Sequence, residues 1–139
     1  MRLPLATLAL VSFASYTPAQ TSTDLPTITL KGGEAWTIPD TDVTLMMTKV
    51  DDHRCWFHIV KCTWDPGVRI EISIVRPSSQ PDQIVLCNQC EDATTAAIAA
   101  GFSIGYVGIS PSTEALDKLD RPAELADYEL TVSYAPAGN

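Results

Sequence analysis

The residues best equipped for chemistry are gathered in one stretch, "DDHRCWFHIVKCTWDPG", positions 51–67. It combines Cys55 and Cys62 with His53 and His58, the acids Asp51 and Asp52, and the aromatics Trp56, Phe57 and Trp64. Imidazole nitrogen, thiolate and thioether sulfur all ligate zinc or copper, so these residues with the nearby Met46 and Met47 form one candidate metal set. The arrangement argues against it. The two histidines stand five apart, and adjacent methionines on a strand point to opposite faces, so only one of them could join. Paired cysteines offer no thiolate. No metal and no other cofactor is therefore expected, and His53 and His58 are the positions at which a metal would show itself.

A second candidate is "CNQC", with Cys87 and Cys90 in C-x-x-C spacing. Such a pair after a strand and before a helix is the thioredoxin arrangement, in which the helix N-terminus activates the first cysteine. "QIVL" precedes Cys87 and the helix-permissive "EDATTAAIAA" follows it, so the local order fits. The surrounding chain has no βαβ pattern, and the acids Glu91 and Asp92 disfavour a thiolate. A structural bridge is the favoured reading, with redox chemistry second. Neither histidine has a serine in a nucleophile-elbow setting, and no glycine loop is built to cradle phosphate. Glu114 and Asp117 sit in a polar connection, where a solvated face is their expected role. No catalytic residue is assigned.

The compartment follows from the first residues, "MRLPLATLALVSFASYTPAQ". Arg2, an apolar run from Leu3 to Phe13 and the small residues up to Ala19 make the pattern of a secretory signal peptide. The run is too short for the roughly 20 apolar residues of a spanning helix. Residues 1–19 are read as that signal and 20–139 as one β-domain, exported to the periplasm or the cell exterior. Residues 1–19 hold Arg2 and no acid, so the formal charge moves from −8 for the whole chain to −9 for the remainder. An acidic surface of this kind excludes nucleic acid as the expected partner, because phosphate contacts need Lys and Arg. All four cysteines lie after residue 19, and an even count in an exported chain reads as disulfides. Three pairings are possible; sequence order favours Cys55–Cys62 and Cys87–Cys90 without deciding it.

The elements that must position these residues are strands. "VRIEISIV" alternates strictly, with Val68, Ile70, Ile72 and Ile74 on one face. "VTLMMTKV" places Val43, Leu45 and Met47 together, and "DYELTVSY" places Tyr128, Leu130, Val132 and Tyr134 together. In "FSIGYVGIS" the apolar phase changes from Phe102, Ile104 and Tyr106 to Val107 and Ile109, which predicts a bulge at Gly105 or Gly108. "PTITL" and "EAWTIP" flank a tight turn at Lys31-Gly32-Gly33. "EDATTAAIAA" permits a short helix or an extended segment. "TEALDKLDRPAEL" allows a few helical residues before Pro122. About seven short strands with Pro and Gly punctuation predict an all-β fold: a β-sandwich or open barrel, stabilised by disulfides. The opening stretch becomes the connection between the "VTLMMTKV" strand and the "VRIEISIV" strand. A Cys55–Cys62 bridge would order it, and Arg54 with Asp51 or Asp52 would form a surface ion pair of little value.

Within that stretch, "D-H-R-C-x6-C-x-W-x-x-G" resembles the motif D-S-R-C-P-x4-C-x-W-x-G. That motif marks a group of small exported bacterial β-proteins of no established function, many of them lipoproteins. Asp52, Arg54, Cys55, Cys62, Trp64 and Gly67 stand at the matching positions. The flanking strands, the segment from Phe102 to Pro111 and the final Tyr-led strand are similar too. Trp56 stands where the motif has proline, one residue is inserted between the cysteines, Pro66 is added before the glycine, and "CNQC" lies outside the pattern. The resemblance implies a disulfide and a β-fold, and no catalytic residue.

The function these features predict is a non-enzymatic binding or interaction module at the cell envelope. Its partner would be a protein or a small molecule, met by a loop carrying Arg54, Trp56, Phe57 and Trp64. Two alternatives remain open: a thiol–disulfide or copper- and zinc-handling protein, and an inhibitor that presents the 51–67 loop to a secreted enzyme.

Overall fold

The computed structural model describes residues 24–55, 62, 66–91 and 94–138. The signal-peptide expectation therefore falls outside the described residues, as do Trp56, Phe57, His58 and Trp64. The described residues form eight strands: β1 (Thr27–Lys31), β2 (Ala35–Thr37), β3 (Thr44–Asp52), β4 (Val68–Val75), β5 (Asp82–Asn88), β6 (Ala96–Ala99), β7 (Phe102–Ser110) and β8 (Glu129–Pro136). They make two four-stranded antiparallel sheets, ordered β2-β3-β4-β5 and β1-β8-β7-β6. The expected all-β sandwich is present, with one strand more than the sequence suggested. β6 is the addition: "AAIA" is rich in helix-forming alanine, yet its pairing with β7 holds it extended.

Strands that follow one another pair, except β1/β2 and β5/β6 where the chain changes sheet, and β8 returns to pair with β1. The topology is an up-and-down meander folded flat, opened at two seams where the chain changes sheet. One seam is the Lys31–Glu34 turn. The sequence marks it as a tight turn, and the Glu34 amide does donate to the Lys31 carbonyl at 3.0 Å. It carries the chain from β1 in one sheet to β2 in the other, so it is a corner and not a hairpin.

The core fills the space between the sheets. Leu45, Ile70, Ile72 and Leu130, each on the apolar phase of its strand, have no exposed surface and belong to one cluster. At the β1/β2 seam Trp36 meets Tyr134 edge to face, centroids 5.6 Å apart.

Two bulges set what faces inward near one end. In β7 the register slips between Tyr106 and Gly108, beside the second of the two glycines expected to mark a bulge. Ile109 rejoins the core, but Val107 is the extruded residue and is 53% exposed, not on the inner face with it. In β3 the slip falls between Met47 and Lys49, and nothing in the residue types announced it. Strict alternation would continue from Met47 to Lys49 and Asp51. The extra residue, Thr48, moves Val50 and Asp52 onto the core side, opposite Ile70 and Val68.

Candidate functional site

The Thr48 bulge aims Asp52 into the end of the sandwich, and Arg54 follows it there. The guanidinium grips the carboxylate with both arms: Nε donates to Oδ1 at 2.9 Å and Nη2 to Oδ2 at 2.7 Å. The Arg54 amide donates to the same Oδ1 at 3.1 Å, and the Tyr128 hydroxyl donates to Oδ2 at 3.2 Å. Arg54 Nη2 also donates to the Pro111 carbonyl at 2.9 Å, tying the β3–β4 connection to the far end of β7. The side chains of Arg54 and Asp52 are 20% and 10% exposed. The expectation of a surface ion pair is thus corrected, because this pair is largely enclosed and both oxygens of its carboxylate accept hydrogen bonds. Charge-assisted bonds of this kind contribute about 1.5–3 kcal/mol each when enclosed.

The electrostatics follow from the contacts. Burial alone would raise the Asp52 carboxyl. The Arg54 and Tyr128 hydrogen bonds and the Arg54 charge outweigh it, so the group is held below its ordinary value. Burial first, and the adjacent Asp52 charge second, push the Tyr128 hydroxyl up to about 12. A carboxylate so satisfied is a poor base, and a phenol so raised is a poor acid. The cluster is suited to holding shape.

Around it the β7–β8 connection builds a wall. It contains the short helix α1 (Thr113–Asp117), capped by the Ser112 hydroxyl accepting from the Ala115 amide at 3.2 Å. A single 3-10 turn follows at Leu125–Asp127. The few helical residues expected before Pro122 are there. Arg121 donates to both carboxylate oxygens of Asp127, each at 2.7 Å, and this holds the Asp127 carboxyl down to about 2. Gly32 docks under this segment: its amide donates to the Tyr128 carbonyl at 3.0 Å, and a Cβ there would overlap the Leu125 carbonyl. Between wall and floor lies a cleft of about 270 Å³, bounded by Asp52, Arg54 and Tyr128 below and Leu116, Leu119, Arg121 and Pro122 beside.

Both disulfides sit at this same end. Cys55 bonds Cys62 and Cys87 bonds Cys90, the pairing that sequence order favours, with Cα separations of 5.8 and 5.9 Å. Cys87 is not at a helix start. It lies near the end of β5, one residue before Asn88, is 1% exposed, and donates its amide to the Thr94 carbonyl at 2.8 Å, where the chain turns into β6. The thioredoxin arrangement is therefore absent at Cys87. Gly67 lies against the second bridge, and a Cβ there would come within 2.5 Å of Cys90 Sγ.

Of the residues singled out by sequence, the structure gathers Asp52, Arg54, Cys55, Gly67, Cys87 and Cys90 at one end. Met47 is buried in the core, away from His53, and among the described residues no three metal-ligating side chains converge. Tyr128, Pro111 and the Leu116–Pro122 wall escaped the sequence reading. Their only signal was the Tyr128-led alternation, which marks a core residue and not a hydrogen bond to a residue 76 positions away. Comparison with models of protein families, with curated proteins and with solved structures finds no match.

Proposed function

We propose that this protein is an exported, non-catalytic binding module whose partner or ligand is met by the end of the sandwich that carries the long connections. The observation behind this reading is the cleft floored by Asp52, Arg54 and Tyr128. Its polar floor is cross-linked by hydrogen bonds, while Leu116, Leu119 and Pro122 offer apolar surface beside it. Concave sites with apolar walls and a few fixed polar groups are where small ligands and peptide side chains bind. The resemblance to small exported bacterial β-proteins agrees with export and with a β-scaffold, and the two disulfides fit an oxidising compartment.

Amide chemical-shift mapping with a panel of short peptides and small amphiphiles tests the reading. Ligands should shift the amides of residues 113–128 together with Asp52 and Arg54, and Leu116→Arg should abolish those shifts. Shifts confined to the opposite end, or unchanged by Leu116→Arg, would refute the site.

A further inference from the structure

We infer that the cleft floored by Asp52, Arg54 and Tyr128 takes a lysine or arginine side chain presented by a basic partner. The inference rests on the binding reading above and names the class of partner for that same cleft. It follows from the charges on the cleft's walls. Four ionised side chains line it: Asp52, Arg54, Asp117 and Arg121. Asp52 engages Arg54 through two charge-assisted bonds, and Asp127 engages Arg121 through two more. Both guanidinium charges are thus answered within the protein. Lys118, next to Asp117 in sequence, is paired with Glu114 at 2.9 Å. The Asp117 carboxylate has no hydrogen bond or ion pair among the described residues. The one charge the cleft leaves open is negative.

The surrounding field has the same sign. Residues 112–128, which build the wall, hold five acids against two bases, a formal −3, and the whole chain carries −8. A field of one sign over a low-dielectric cleft raises the local concentration of oppositely charged groups. The apolar part of the wall narrows the class of cation. Leu116 and Leu119 are half-buried and, with Pro122, border the same cleft as Asp117. Lysine and arginine side chains match this pairing of surfaces, because their aliphatic stems pack on apolar groups while the charged head reaches a polar partner.

Other occupants fit less well. An anion would meet Asp117 with both guanidinium groups already engaged. A neutral apolar group would strip water from Asp117 and give it no partner. A metal ion would lack ligands, since no three metal-ligating side chains converge among the described residues.

The probes are capped tripeptides Gly-X-Gly in which X is lysine, arginine, norleucine or glutamate. Each is titrated into the protein while the amide shifts of residues 113–128 are followed. The lysine and arginine peptides should bind about fivefold more tightly than norleucine, an uncharged stem of similar length, and the glutamate peptide should bind most weakly. Raising the ionic strength should shrink that ratio. Asp117→Asn should abolish the preference. Asp120→Asn, an equal change of charge at a residue that does not line the cleft, should preserve it. A preference that survives Asp117→Asn, or that Asp120→Asn removes equally, overturns the assignment. Lysine and norleucine binding alike overturns it while leaving the cleft a binding site. Binding by none of the peptides, or binding untouched by Leu116→Arg, overturns the binding reading and the assignment with it.

Discussion

The same eight strands end in two different ways. At one end the connections are short turns held by backbone: Ile38 donates to Val43 at 2.9 Å, and Ala100 and Gly101 alone join β6 to β7. Three non-glycine residues there, Asp40, Ser78 and Ala100, adopt left-handed backbone with φ of 59°, 61° and 51°. At the other end the tight Lys31–Glu34 turn is again held by backbone, and Gln89 is left-handed with φ of 62°, but the β3–β4 and β7–β8 connections are long and this end is held by side chains: the Asp52–Arg54–Tyr128 cluster, the Arg121–Asp127 pair and two disulfides. A short turn needs only its own hydrogen bonds and tolerates some backbone strain. A long connection has too much entropy to stay ordered that way, and something must cross-link it. The end of short turns is built for closure. The cross-linked end holds its long connections in place, which is what the proposed binding site would require.

The core between the ends sets the scale for testing this. Ile72→Ala should cost about 2–5 kcal/mol by chemical denaturation, since Ile72 is fully buried among side chains of both sheets. A loss below about 0.5 kcal/mol would mean that the sandwich is not one core.

Breaking the cross-linked end comes next. Arg54→Met leaves Asp52 without its partner, and should cost about 2–3 kcal/mol, less than the ~3–5 of a fully buried pair. Cys55→Ser with Cys62→Ser should cost about 2–3 kcal/mol for a ring of this size. The two losses should fall short of adding, because both act on the same connection. Simple additivity would separate the bridge from the ion pair.

The same network gives the end a pH signature. Asp52 is held lower in the fold than in the unfolded chain, so its stabilisation is present above the unfolded value and is lost as pH falls through the folded one. Tyr128 is raised to about 12, so its contribution is complete below its unfolded value near 10 and disappears as pH climbs towards 12. Melting temperature should thus fall on both flanks. Asp52→Asn should flatten the acid flank and Tyr128→Phe the alkaline one. An acid flank unchanged by Asp52→Asn would assign it to other carboxylates.

The smallest effect belongs to the end of short turns and has the opposite sign. Ala100→Gly should stabilise the protein by about 0.5–1 kcal/mol, because glycine carries no penalty at positive φ. A destabilisation would show that the alanine methyl matters more than the turn.

What the sequence determined by itself was the material of each layer. Alternation at Val68–Ile74 and Tyr128–Tyr134 named the inner faces, because a strand's period of two leaves one face to bury. The cysteine order favoured the two local bridges among three possible pairings, and the fold decided for them. Tertiary structure decided the rest. The Thr48 bulge reversed the phase that would have left Asp52 facing solvent, and a one-residue register slip has no signature in residue type when polar residues occupy both phases. β6 formed from alanines because pairing with β7 outweighed their helical preference. The meeting of Asp52, Arg54, Pro111 and Tyr128 depends on β8 closing onto β1 and β7. Hydrogen bonds across such separations follow from topology, which no local pattern encodes.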